Sequence, residues 1–301
     1  MAFRESPVPR ERLRVVWRIL LWLLLLLLFY VAGQYAVSFL PGTPLGWATY
    51  VFLSAGGLMA GWAVLTGLDG RPPGALGFAF SRAALTETVT GLGLGGGLIA
   101  TAVVLLVVSG GARFAADAGT VLDYLGALAW TLLYFWLAAA YEEIWFRGYG
   151  FQALVEGVGA WPAAIASSAL FSFLHASNPN FGVAAFVNIF LAGMMLALAY
   201  LRTRSLWFAT AVHAGWNWAM ASLFAFPVSG LNLIDTPLYD ALETGGDWWT
   251  GGEFGPEAGV VGTLVLLAGV WFLVRGPAPR EAPHVRRLGP IVDRRIPEEW
   301  P

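Results

Sequence analysis

Apolar stretches long enough to cross a bilayer recur along the whole chain, and this recurrence constrains the fold more than any other feature. A hydrocarbon core about 30 Å thick needs roughly 20 apolar residues per helix, and only helices or closed barrels satisfy every backbone polar group inside it. Eight such runs can be marked: 15–39, 43–68, 84–108, one starting near Asp123, then 161–176, 181–201, 205–226 and 260–274. Pro41, Gly42 and Pro44 break the first from the second, and a Pro/Gly-rich loop follows from Asp69 to Arg82. The expected fold is all-α, a polytopic membrane protein of about eight transmembrane helices enclosing a cavity within the membrane. Composition agrees, with 58% hydrophobic and 12% charged residues. The first run is too long for a signal-peptide apolar region and lacks a clear small-residue cleavage site, so it is expected to be retained. The GLGLGGG run at 91–97 is read as close helix packing and not phosphate binding, because no strand precedes it.

The basic residues set the orientation. All 17 are Arg, and they gather in an N-terminal arm (1–14, with Arg4, Arg10, Arg12 and Arg14), in the loops after the second, fourth and sixth spans, and in a Pro/Arg-rich tail (276–301). The alternate loops hold only Arg113. By the positive-inside rule both termini are cytoplasmic in a plasma-membrane protein, and the 227–257 loop, with six carboxylates and no basic residue, lies outside the cell. The division is therefore an arm (1–14), a transmembrane domain (15–275) with its core at 124–226, the outer loop within it, and the tail. A net charge of −2 gives no basis for a nucleic-acid partner. The absence of Cys excludes disulfides, thiolate metal sites and a cysteine nucleophile. Trp17, Trp47, Trp161 and Trp207 sit near span ends, as interfacial aromatics do.

Charge inside an apolar helix costs roughly 2.5–3.5 kcal/mol per residue on insertion scales, so polar residues within the spans mark function by default. Glu142 and Glu143 stand together in AAAYEEIWFRGYG. Glu143 and Arg147 are four apart with the acid N-terminal, the favoured orientation for a helical ion pair, while Glu142 points about 100° away. Glu143 is thus neutralised, and Glu142 is left as a free carboxylate in an apolar wall, the kind of group that serves as a general base. His175 and His213 lie in other apolar helices, with Asn217 one turn beyond His213 on the same face. If the fourth and fifth spans form a hairpin turning at Gly157 to Gly159, Glu142 and His175 are each about 25 Å from the turn. His213 and Asn217 fall about 14 to 20 Å from a turn near Thr203, which places the cluster in the cytoplasmic half of the membrane.

In this order the motifs EExxxR (Glu142, Glu143, Arg147), FxxxH (Phe171, His175) and HxxxN (His213, Asn217), each on its own hydrophobic helix, resemble the CPBP family. That family comprises type II CAAX prenyl endopeptidases, bacteriocin-processing enzymes and Abi membrane proteases. The resemblance covers about Tyr124 to Phe226, and Gly193 is similar to the small-residue sixth helix of the family. It implies an intramembrane endopeptidase acting on a hydrophobic or membrane-anchored peptide, prenylated CAAX-like peptides included, with membrane lipids as its other partner. By the same resemblance Glu142, assisted by His175, would activate water; His213 and Asn217 would hold the oxyanion; Glu143 and Arg147 would support the helix. Phe171 is expected to pack against His175. Trp145 and Trp216, beside the site, are read as packing residues.

No cofactor is expected. Zinc is the alternative, with Glu142, His175 and His213 as its three ligands. Metal-free catalysis is favoured because ligation would use up the obvious base and the spacing commits Glu143 to Arg147. Two other classes stand beside the enzyme: a non-catalytic membrane scaffold or bacteriocin-immunity protein that keeps the polar cluster for packing, and a proton-coupled transporter, which the lack of an internal repeat disfavours.

Overall fold

The computed structural model describes residues 14–39 and 46–288. The expected arm with Arg4, Arg10 and Arg12, the break at Pro41, Gly42 and Pro44, the start of the second span and the end of the tail lie outside the described residues.

The described residues form an all-α polytopic membrane protein with one short β ribbon. Five stretches are long and apolar enough to cross a membrane: 15–37, 47–67, 82–108, 121–158 and 183–203. They contain helices α1 (Val15–Val37), α2 (Trp47–Gly67), α3 (Arg82–Val108), α4 (Val121–Arg147) with α5 (Tyr149–Val158), and α7 (Val183–Thr203). The remaining expected spans are apolar but shorter helices: α6 (Ala160–Leu174), α8 (Leu206–Trp218) and α10 (Val260–Arg275). Two single-turn helices complete the set, α9 (Asp247–Thr250) and α11 (Pro283–Arg286). Leu20, Leu24, Leu27, Leu28 and Val31 of α1 are exposed, a leucine face that suits lipid and not water.

The glycine run of α3 does what its composition suggests. A Cβ on Gly95 would sit 2.0 Å from the Val212 carbonyl oxygen, and one on Gly215 2.5 Å from that of Leu92, so α3 and α8 pack backbone to backbone. Only hydrogen side chains permit that approach. It fixes α8, and with it His213, against a rigid neighbour.

Side-chain contacts divide the molecule into two ends. At one, Arg18 binds Asp69 (2.7 Å) and Glu156 (2.6 Å), Gln152 donates to Tyr200 (2.6 Å) and the Leu76 carbonyl (3.1 Å), and Arg204 pairs with Glu281 (2.6 Å). Arg14, Arg71, Arg82, Arg202, Arg275 and Arg286 belong to this end as well. At the other, a two-stranded antiparallel ribbon pairs β1 (Ala112–Ala116) with β2 (Tyr239–Glu243), Ala112 facing Glu243 and Ala116 facing Tyr239. Asn178 donates to the Ser229 carbonyl there at 2.9 Å, and Gly230 N–H to that of Phe254 at 2.9 Å. This end carries the acidic 227–257 segment, and Arg113 is its one cation among the described residues.

The expected fourth span begins as the sequence indicates. Thr120 and Asp123 form a reciprocal capping box, with Asp123 N–H donating to Thr120 Oγ1 at 3.2 Å and Thr120 N–H to Asp123 Oδ2 at 3.1 Å. It does not run unbroken to Gly157. Gly148 leaves the helical conformation (ψ −139°), and any side chain there would bring its Cβ to 2.2 Å from the Ile144 carbonyl oxygen. The hairpin assumed in the depth argument is therefore replaced by α4, a break, α5, and a second turn at Gly159 (φ +89°).

Candidate active site

The site grows from the last turns of α4. Arg147 and Glu143 are both fully buried, and Arg147 Nη1 donates to Glu143 Oε1 at 3.1 Å. A buried guanidinium needs further partners, and it has them: Nη2 donates to the Gly193 carbonyl of α7 at 3.0 Å, and the group lies 4.8 Å over the Phe171 ring of α6. Three helices are thereby tied at one point.

Glu143 Oε1 also lies 2.9 Å from His213 Nδ1 on α8. A carboxylate oxygen only accepts, so Nδ1 is the protonated nitrogen and Nε2 is turned away from Glu143. That Nε2 lies 3.8 Å from Glu142 Oε2. Glu142, 100° around the helix from Glu143, faces a cavity, and its Oε2 has no hydrogen-bond partner within the protein. Oε2 is itself buried, as are the unpaired Glu143 Oε2 and Arg147 Nε beside it, whereas the Glu142 side chain as a whole is 23% exposed.

The cavity encloses about 250 Å³, and Glu142, His175, His213 and Asn217 all line it. His175 follows the last residue of α6, in a 3₁₀ turn, His175–Ser177. Its Nδ1 is 2.8 Å from the Phe171 carbonyl, which again fixes the proton on Nδ1 and leaves Nε2 as the basic nitrogen. The Phe171 and His175 ring centroids are 4.5 Å apart, the expected packing contact. The two residues reach one cavity although the continuous hairpin is absent, because α6 passes α4 at Phe146, where Ser167 Oγ donates to the Phe146 carbonyl at 3.1 Å.

Several wall residues carry no signal in the sequence. Glu257 is buried just before α10; Trp216 Nε1 donates to its Oε1 at 3.0 Å, and Ser229 N–H and Oγ–H donate to its Oε2 at 2.7 and 2.8 Å. Burial pushes this carboxyl above its ordinary value, while the bonds from Ser229 and Trp216 oppose the shift. Tyr50 of α2, stacked on Tyr141 at 5.8 Å, forms another part of the wall. Trp216 is thus both a packing and a lining residue, whereas Trp145 does not line this cavity and donates to the Leu53 carbonyl at 3.2 Å.

The donor atoms of Glu142, His175 and His213 do not converge as a metal would require. Among the described residues the group whose donor atoms all lie within 4.8 Å of one another is Asp117, Asp235 and Asp240, which is exposed. Zinc bonds of about 2.0–2.1 Å demand closer convergence, so the three side chains as arranged do not fit the ion.

Residues 124–219 match the protein-family profile described as Type II CAAX prenyl endopeptidase Rce1-like. A search of curated proteins found no match to the chain. The matched segment includes Glu142, Glu143, Arg147, His175, His213 and Asn217, and it ends before the acidic loop.

Proposed function

We propose, from the match of residues 124–219 to the profile of Rce1-like type II CAAX prenyl endopeptidases, that the chain is a CAAX-type intramembrane protease and hydrolyses a peptide bond in a hydrophobic or membrane-anchored peptide through water activated by Glu142. The observation that carries the reading is the Glu142 carboxylate lining a cavity shared with both imidazoles and the Asn217 amide.

A water between Glu142 and the scissile carbonyl gives its proton to the Glu142 carboxylate as its oxygen forms the new C–O bond. Charge then develops on the carbonyl oxygen. Asn217 Nδ2–H donates to it, and His213 does so from Nε2 when the ring carries both protons, with Glu143 holding the Nδ1–H side. Collapse of the tetrahedral species breaks the C–N bond, and the departing nitrogen takes a proton from Glu142 or from protonated His175 Nε2. Glu143 and Arg147 keep His213 in place without touching the substrate.

In this reading no metal is needed, because base, proton carrier and oxyanion donors are all supplied by side chains. The membrane is the plasma membrane, with the Arg-rich end and both termini on the cytoplasmic side. The test is mass spectrometry of products after detergent-purified protein meets a prenylated and an unmodified hydrophobic peptide. The reading expects a single new peptide bond broken in at least one of them. Intact peptides across such a panel would refute it.

A further inference from the structure

Glu257 lies outside the segment matched to the family profile, yet it is buried in the wall of the cavity that Glu142, His175, His213 and Asn217 share. It stands in the 3₁₀ turn Pro256–Ala258 that leads into α10, and the Asn188 amide of α7 pins this stretch by donating to the Gly259 carbonyl at 3.0 Å. Among the described residues no Arg is bonded to its carboxylate, and three uncharged donors, from Trp216 and Ser229, meet it instead. A buried carboxylate without a cation is costly to keep, and an apolar side chain would fill the same space without that cost. The hydrolytic steps above give it no task.

Its two oxygens reach toward both of the distant motifs. Oε1 accepts from Trp216 Nε1, and Trp216 immediately precedes Asn217 on α8. Oε2 accepts from Ser229, whose carbonyl accepts from Asn178, three residues beyond His175. Asn217 is bracketed, because on its other side Trp218 Nε1 donates to the Leu128 carbonyl of α4 at 3.1 Å. Directly after Trp218 the chain passes into a π-helical turn, Ala219–Leu223. A change of pitch at that point leaves the direction of the last α-helical side chains to outside contacts, and the two indole N–H bonds supply them on either side of Asn217.

We propose that Glu257 is a positioning residue for the hydrolysis: its carboxylate, through the Trp216 indole, sets the Asn217 amide where the oxyanion develops. Its own oxygens are taken up by Trp216 and Ser229, so it acts through Asn217 and not on the substrate. The inference rests on the reading of the cavity as proteolytic and of Asn217 as an oxyanion donor. A carboxylate is required, because Trp216 Nε1–H and Ser229 N–H can only donate. Glu257→Gln keeps the size of the side chain, but its NH₂ must face one of these donors whichever way the amide turns.

Glu257→Gln, Asn217→Ala and the double variant are purified in detergent beside the parent and assayed on one susceptible hydrophobic peptide, with melting temperatures recorded. A catalytic group misplaced by about 1 Å loses about 10² in rate, so kcat of Glu257→Gln should fall by about that factor with little change in KM. Added to Asn217→Ala, the same substitution should cause no further fall, since the group it places is already gone. A purely structural role would lower the melting temperature and the active fraction, and its loss would recur in the Asn217→Ala background. Full recurrence of the loss there, or a Glu257→Gln rate equal to that of the parent, overturns the proposal. Trp216→Phe removes the indole N–H and keeps an aromatic ring in the wall; it decides through the same cycle with Asn217→Ala if Glu257→Gln does not fold. A parent that cleaves no peptide refutes the proteolytic reading and this role with it, whereas failure of the role alone shows as an active parent whose variants lose rate independently.

Discussion

Replacing Arg147 by methionine removes the one cation inside the bundle beside Glu143. In the native protein its guanidinium donates to Glu143 Oε1 and to the Gly193 carbonyl and lies over the Phe171 ring. Arg147→Met leaves a fully buried carboxylate whose remaining partner is His213, at a cost of about 3–5 kcal/mol for breaking a buried pair. The Gly193 carbonyl, in the middle of α7, keeps its intrahelical partner and adds little to this cost. A loss on the order of 5 kcal/mol rivals the whole stability of many domains, so the variant should melt well below the parent in detergent. The double variant Glu143→Gln with Arg147→Met carries no buried charge at this point and should recover most of the lost melting temperature. It should stay inactive, since His213 Nδ1–H then faces a neutral amide. Fluorescence-detected size exclusion after a temperature ramp measures all three. A single variant that melts like the parent, or a double variant less stable than Arg147→Met alone, would refute the assignment of the pair as the internal brace.

Three further outcomes follow from the same geometry. Asn217→Ala should slow cleavage by about 10² to 10³ with little change in KM, because the lost donor acts on the developing oxyanion; an unchanged kcat would remove Asn217 from that role. Preincubation with a zinc chelator should leave the cleavage rate of purified protein unaltered, and a loss restored by added zinc would return the metal reading. Gly95→Val should prevent α3 from seating against α8, since its Cβ meets the Val212 carbonyl oxygen at 2.0 Å, and the variant should elute as aggregate where the parent is monodisperse.

What could be read in the sequence was local. The spacing of Glu142, Glu143 and Arg147 contains the pairing geometry within one helical turn, and the glycines at 91–97 announce a close neighbour without naming it. What could not be read depends on residues distant in the chain. Glu257 is one of six acids in its loop by composition, and only the fold turns it inward onto Ser229 and Trp216 while Asp235, Asp240 and Asp247 stay exposed. The β1–β2 ribbon joins segments more than 120 residues apart, each too short to show a period of two. The break at Gly148 is hidden because a lone glycine in an apolar helix is usually tolerated, and it invalidated the arithmetic of depth even though the side chains it concerned meet in one cavity.

The most direct test of the central claim is the cleavage rate of Glu142→Gln beside the parent, on one susceptible peptide, with both melting temperatures recorded. Gln keeps the size of the side chain and removes only the proton-accepting charge, and Glu142 Oε2 makes no hydrogen bond whose loss could unfold the protein. The account predicts a fall of about 10² to 10⁴ in rate at an unchanged melting temperature. A variant that cleaves at nearly the parent rate would contradict it.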